Sequence, residues 1–304
     1  MSEVNAALQA QETKAALASS KRRDFVEHAF HALFLLSAFI GVASVIIIGF
    51  FLVKESAASF QEAGVTGMVF GMNWLPPALY GIAPMIAGSL MATAVAVVIG
   101  VPVGVLTAIF LAEIAPERLV KVMRPAIELL AGIPSVVYGF FGLVVIVPLI
   151  EDVFGVPSGA TILAGAVVLA VMILPTVIAV SETSLRAVPR QYKEGSLALG
   201  ASKIYTIFNV LVPAARSGIL TGVILGIARA VGETMAIIMV MGNTPAMPQG
   251  ILDSARTLTA NIALEMSYAT GVHASALYAS GVVLLVFVML LNGTLMYLNR
   301  EKAK

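Results

Sequence analysis

Arg229 and Glu233 stand four residues apart inside GVILGIARAVGETMAIIMVMGN, residues 222–243, a run that is otherwise apolar. A guanidinium offers planar, bidentate donors that match an oxyanion, and a carboxylate beside it has two uses. With the site empty it neutralises the arginine; with an anion present it accepts a hydrogen bond from a protonated oxygen. Hydrogen phosphate carries such a proton at neutral pH and sulfate does not, so the carboxylate favours the former as one contribution among several. The same spacing also fits a structural ion pair bridging neighbouring spans. On a continuous helix the two meet on one face, and mutual neutralisation lowers the cost of about 2.5–3.5 kcal/mol that each charge carries at mid-span. Arg before Glu is the weaker order for helix stabilisation, so helix propensity does not explain the pair. Both readings turn the charges toward protein or water.

Other chemistry is largely excluded. There are no cysteines, so thiolate metal sites, disulfides and cysteine nucleophiles are ruled out. His28, His31 and His273 form no cluster with carboxylates at metal-ligand spacing, and no metal or cofactor is expected. No G-x-x-x-x-G-K-[ST] occurs, so any ATP that drives the protein binds another chain. Glu128 at a membrane edge reads first as a helix-end charge and second as a gating residue; Glu182 and Arg186, four apart in the favourable order, read as a helix-end pair. Asn292-Gly293-Thr294 matches a glycosylation sequon inside a span and is a chance match.

The elements that position these residues follow from composition. The 304 residues are 59% hydrophobic and only 12% charged, with mean hydropathy +0.98, the profile of an integral membrane protein. A net charge of +1 carries no concentrated basic face for nucleic acid. Lipid leaves helix as the state for each long apolar run, and about 20 residues cross its ~30 Å core. Six spans are expected, near 32–53, 82–112, 127–150, 161–181, 218–241 and 274–298, as one all-α membrane domain over 31–298. A polar tail, 1–30, precedes it and 299–304 follows. The segment around NWLPPALYGIAP reads as an interfacial loop and EIAPERLVKVMR as a short charged loop. Fifteen of the eighteen Lys and Arg fall on the two tails and the second and fourth loops, which puts both termini and the 187–216 loop in the cytoplasm. No internal repeat and no matching pair of broken helices is evident.

The 187–216 loop is long for a chain this apolar. Leu197, Ala201, Ile204, Phe208 and Leu211 fall on one stripe of a single amphipathic helix, which by periodicity alone lies in the membrane interface. EGSLALGASKIYTIFNVLVP places Glu194 six residues before Gly200 and Gly200 thirteen before Pro213, and it resembles the EAA loop of ABC importer permeases. The departures are Gly195 and Ser196 in place of two alanines, and Val210 and Val212 in place of Ile and Leu. The resemblance implies that this loop docks on a nucleotide-binding subunit and transmits its closure.

GIARAVGETMAIIMVMGNTP, with AIELLAGIPSVVYGFFGLVVIVPL and LAVMILPTVIAVSETSLRAVP, resembles the PstC-type permeases of the bacterial high-affinity phosphate ABC importer, from about residue 80 to the end. That resemblance implies a type I ABC importer permease fold in the inner membrane. The partners it implies are a PstA-like permease in a heterodimer, a dimer of ATP-binding subunits and an extracytoplasmic phosphate-binding protein. It also carries the family's phosphate-path arginine and glutamate onto Arg229 and Glu233. The large insertion some members have between the third and fourth spans is absent, so substrate-protein contact through that loop is in doubt. Permeation of sulfate, molybdate or phosphonate, proton-coupled secondary transport through Glu233, and a scaffold or sensor role stay open as rivals.

Overall fold

A computed structural model describes the backbone of residues 2–300 and the side chains of 27–294. The described structure is helical apart from one small hairpin and the connecting loops. It divides into two compact units, residues 1–54 and 55–304. The first unit is helix α1, Ser2–Glu55, a single helix of 54 residues. The tail expected as a separate element therefore continues into the span without a break, because no Gly or Pro occurs before Gly41 and the segment is rich in alanine. Its apolar portion is Glu27–Glu55.

The second unit begins with α2 (Ala57–Phe70), kinked where Gly64 adopts φ 69°. The expected interfacial loop is a hairpin, β1 (Trp74–Leu75) against β2 (Leu79–Tyr80), with Trp74 opposite Tyr80. Helix α3 (Ala83–Ile109) follows and ends in a π-helical turn, Phe110–Ile114. The charged segment after it folds as α4 (Glu117–Gly132) and not as a loop. Its apolar positions explain this: Val120, Met123 and Ile127 recur at helical spacing and pack on the core formed by Ala108, Leu111, Ile178, Leu185 and Ile207. Ile133, extended because Pro134 follows it, ends α4. The third span consequently starts at Ser135 and not at Ile127. It comprises α5 (Ser135–Phe141), a π turn (Gly142–Ile146) and α6 (Val147–Phe154).

Helix α7 (Ile162–Arg186) is the centre of the unit, capped at its start by the Thr161 hydroxyl, which accepts from the Ala164 N–H. Gly104 of α3 comes so close that a Cβ there would lie 2.8 Å from Val177. From the other side a Cβ on Gly226 would meet the same valine at 3.0 Å. After α7 come α8 (Arg190–Ala198), α9 (Lys203–Thr206), a π turn (Ile207–Leu211) and α10 (Val212–Gly232). The expected single stripe from Leu197 to Leu211 is thereby split. Gly200 takes φ +84°, which reverses the chain between α8 and α9, leaving Leu197 and Ile204 exposed while Leu211 is buried. The last elements are α11 (Met235–Val240), α12 (Leu258–Glu265) and α13 (Gly271–Arg300). Among the described residues six helical segments are long and apolar enough to cross a membrane, in agreement with the expected number. The fifth, however, is Lys203–Gly232 and not 218–241, so the second half of the expected 187–216 loop is helix continuous with the span.

Candidate functional site

The fifth span does not run through Glu233. Helix α10 stops at Gly232; Glu233 is extended, φ −69° and ψ 134°, and α11 restarts at Met235. The Glu233 carboxylate accepts from the Ala236 N–H at 3.1 Å and so caps the new helix, while its backbone carbonyl accepts from the Thr259 hydroxyl at 2.8 Å. The expectation that Arg229 and Glu233 pair across one helix face is overturned, since helical spacing is lost at the break. Among the described residues no ion pair joins them, and the Arg229 guanidinium has no hydrogen-bond partner. Arg229 is exposed on the last turn of α10 and Glu233 is half-buried.

A second interrupted helix lies alongside, at Ile133–Pro134 between α4 and α5. The Tyr138 hydroxyl bridges it by donating to the Leu130 carbonyl at 2.7 Å. Helices α5 and α11 touch through their backbones: a Cβ on Gly139 would lie 2.8 Å from Cα of Ala236. Two breaks, at residues 133–134 and 233–234, are thus held together beside the arginine. The sequence reading found no broken pair because neither break interrupts the hydropathy of its run.

At the end of α7 the loop residues are distributed as follows. Glu194 is exposed on α8, and Gly195 faces open space. Ser196 shares a hydrogen bond of 2.9 Å with Thr206, joining α8 to α9. Leu199, beside the left-handed Gly200, is 91% exposed. Pro213 follows the π turn Ile207–Leu211 within a continuous helix, Lys203–Gly232, and the wider π register beside it accommodates the missing N–H. Lys193 of α8 reaches Glu113 in the π turn after α3 at 2.5 Å. Glu182 is more than a helix-end charge. It is buried and accepts from Arg186 at 2.9 Å and also from Arg124 of α4. Arg186 donates in addition to the Leu111 carbonyl at 2.8 Å. Glu128, exposed on α4 one turn beyond Arg124, lines a cavity of about 350 Å³ with Arg124, Glu182 and Arg186.

A polar network that sequence reading missed occupies the opposite end of α3. Arg256 binds Glu265 at 2.5 Å, Asn261 at 2.9 Å and the Asn243 carbonyl at 2.9 Å. The second oxygen of Glu265 accepts from the Trp74 indole at 2.9 Å and meets His273 Nε2 at 2.8 Å. A carboxylate inside the apolar run before α13 was the only local signal. Nearby, burial and then the Glu62 charge push the Tyr80 hydroxyl above its ordinary pKa.

Six membrane-length helices among the described residues, one entered and one left through interrupted segments that meet near Arg229, define a multi-pass membrane protein. The chain belongs to the family of binding-protein-dependent transport system inner membrane components, which matches residues 100–303. It is 43% identical to the probable ABC transporter permease protein YqgH of Bacillus subtilis, over 87% of this chain and 88% of that one. It is 32% identical to the phosphate transport system permease protein PstC of Mesorhizobium japonicum over 92% of each chain, and 34% identical to that of Haemophilus influenzae over 90% and 92%. Among solved structures it resembles an inward-facing MetNI methionine ABC transporter, with TM-score 0.54 and 23% identity over 73% of this chain and 94% of that chain, a likeness of fold. The protein is therefore a multi-pass bacterial inner-membrane protein with the type I ABC importer permease fold.

Proposed function

We propose that this chain is a permease subunit of an ATP-driven phosphate importer, pairing with a PstA-like permease, receiving phosphate from an extracytoplasmic binding protein and coupling to two ATP-binding subunits. It performs no covalent chemistry; hydrolysis belongs to the partner. Both termini and the 187–216 loop face the cytoplasm, as the distribution of Lys and Arg supports.

The observation that carries the reading is Arg229, an exposed guanidinium at a helix break inside a span, with no ion-pair partner among the described residues. Facing lipid it would cost about 2.5–3.5 kcal/mol. Turned toward a second permease it lines a shared path and offers its bidentate fork to an oxyanion. Glu233 spends one oxygen on Ala236, and the other is available to accept the proton of hydrogen phosphate. Leu199, apolar and 91% exposed at the α8–α9 turn, is the tip that enters the ATPase groove, with Glu194, Gly195, Ser196 and Gly200 around it and Pro213 anchoring the return into α10. Glu128, beside the path from α4, has a gating role.

The reading is tested in proteoliposomes that hold the complete transporter and its binding protein. ATP-dependent uptake of labelled phosphate is expected to resist an excess of sulfate or molybdate. Uptake that sulfate outcompetes, or that survives an inactive ATPase partner and collapses with an uncoupler, refutes it.

A further inference from the structure

Buried Glu182, which shares a cavity with Glu128, has been given no role so far, and the geometry of its two ion pairs is informative. Arg124 and Glu182 are 58 residues apart in sequence, on α4 and α7, yet they form an ion pair. The same carboxylate holds Arg186, the last residue of α7, four positions before α8 begins. Arg186 and Lys193 then tie both ends of that connection to one π turn, at Leu111 and Glu113. Helix α8 is therefore tied to the ends of α3 and α7.

Helix α4 is held more loosely. It has no buried residue, its apolar stripe is only partly covered, and Arg124 makes the ion pair that fastens it to α7. Its other end is the Ile133–Pro134 break, where Leu130 takes the Tyr138 hydrogen bond. Tyr138 and Gly139 belong to α5, whose backbone lies against Ala236 of α11, and Ala236 is the residue that Glu233 caps. A continuous set of contacts thus leads from α8 through Glu182, Arg124 and α4 to the break beside Arg229.

We infer that Glu182, through its pairs with Arg124 and Arg186, is a positioning residue that makes α4 move with the coupling loop and carries its stroke to the Arg229 break. Resting on the transport function proposed above, this assigns α4 the part of a lever and Arg124 that of its joint. A buried carboxylate held by two half-exposed arginines suits the task, since it is Glu182 that cannot be left without a partner inside the protein, and both arginines come to it.

Two measurements on the assembled transporter test it. In the first, Arg124→Gln is expected to leave ATPase activity in place while phosphate taken up per ATP falls about tenfold, and Arg124→Lys, which keeps the charge, restores most of it. Unchanged uptake per ATP in Arg124→Gln overturns the inference. In the second, the absence of cysteine allows spin labels at Arg118→Cys on α4 and Gln191→Cys on α8. Their separation is expected to stay constant between nucleotide-free and ATP-bound states with Arg124 intact, and to change with Arg124→Gln. A change of more than about 5 Å, one helical turn, with Arg124 intact refutes the lever, even where Arg124→Gln fails to assemble. Failure of the wild type to take up phosphate refutes the proposed substrate and leaves the label measurement, which needs only ATP and the partner ATPase, to decide on α4.

Discussion

Arg229 is defined by what surrounds it. A helix that ends three residues later and a glutamate already engaged as a cap leave the guanidinium, among the described residues, without a hydrogen-bond partner. Replacing it by Gln removes charge-assisted bonds of about 1.5–3 kcal/mol, so phosphate uptake is expected to fall by about 10–100-fold at constant protein level. Lys restores the charge without the fork, and Arg229→Lys should fall between the two. Measured uptake of Arg229→Gln equal to wild type would remove the residue from the path. The pair of charges was legible from type and spacing alone, since ionisable groups in a span announce themselves. The relation between them was not: Gly232 and Thr234 are common inside spans, and the break depends on Ala236 and Thr259, the second of which is distant in sequence.

Among the elements, α8 and α9 show what two glycines contribute. At Gly195 an added Cβ meets nothing within 4 Å, so Gly195→Ala is expected to stabilise α8 by about 0.5–1 kcal/mol. Gly200 is equally uncrowded but has φ +84°, so Gly200→Ala costs about 1–2 kcal/mol of backbone strain. Hydrogen-exchange protection of the α8 amides should rise in the first variant and fall in the second; a fall in both would mean that Gly195 serves a contact outside this chain. Spans were readable because their length and apolarity are local properties. Helix α4 was misread as a loop because its charges dominate composition while Val120, Met123 and Ile127 supply the periodicity. Its separation from α5 did have a signal, the Pro at 134, which weighs against helix at Ile133.

For the molecule as a whole, the end of α3 away from the coupling loop is locked by Glu265, which joins the 242–257 loop, the hairpin and the start of α13 through Arg256, Trp74 and His273. Glu265→Ala leaves Arg256 without its carboxylate in a largely enclosed site and is expected to destabilise the fold by about 3–5 kcal/mol. Thermal unfolding in detergent checks this, and a midpoint unchanged by the substitution would show the network to be dispensable. These partners are separated by up to 191 residues, and such pairing is a property of the tertiary structure that no local pattern encodes.

The central helix has a consequence for life in a real bilayer. Two-thirds of the most apolar window of α7 is covered by its own chain, 67% against 33% or less for every other span. Thinner or thicker membranes are accommodated by tilt of the helices that touch lipid, and α7 barely does. Because α8 follows α7 after the short 187–189 turn and is tied by Lys193 to Glu113, its position follows the covered helix more than the lipid-facing ones. Adjustments to a change of growth temperature or fatty-acid composition then fall on the spans less covered by the chain, and the register of α8 stays fixed.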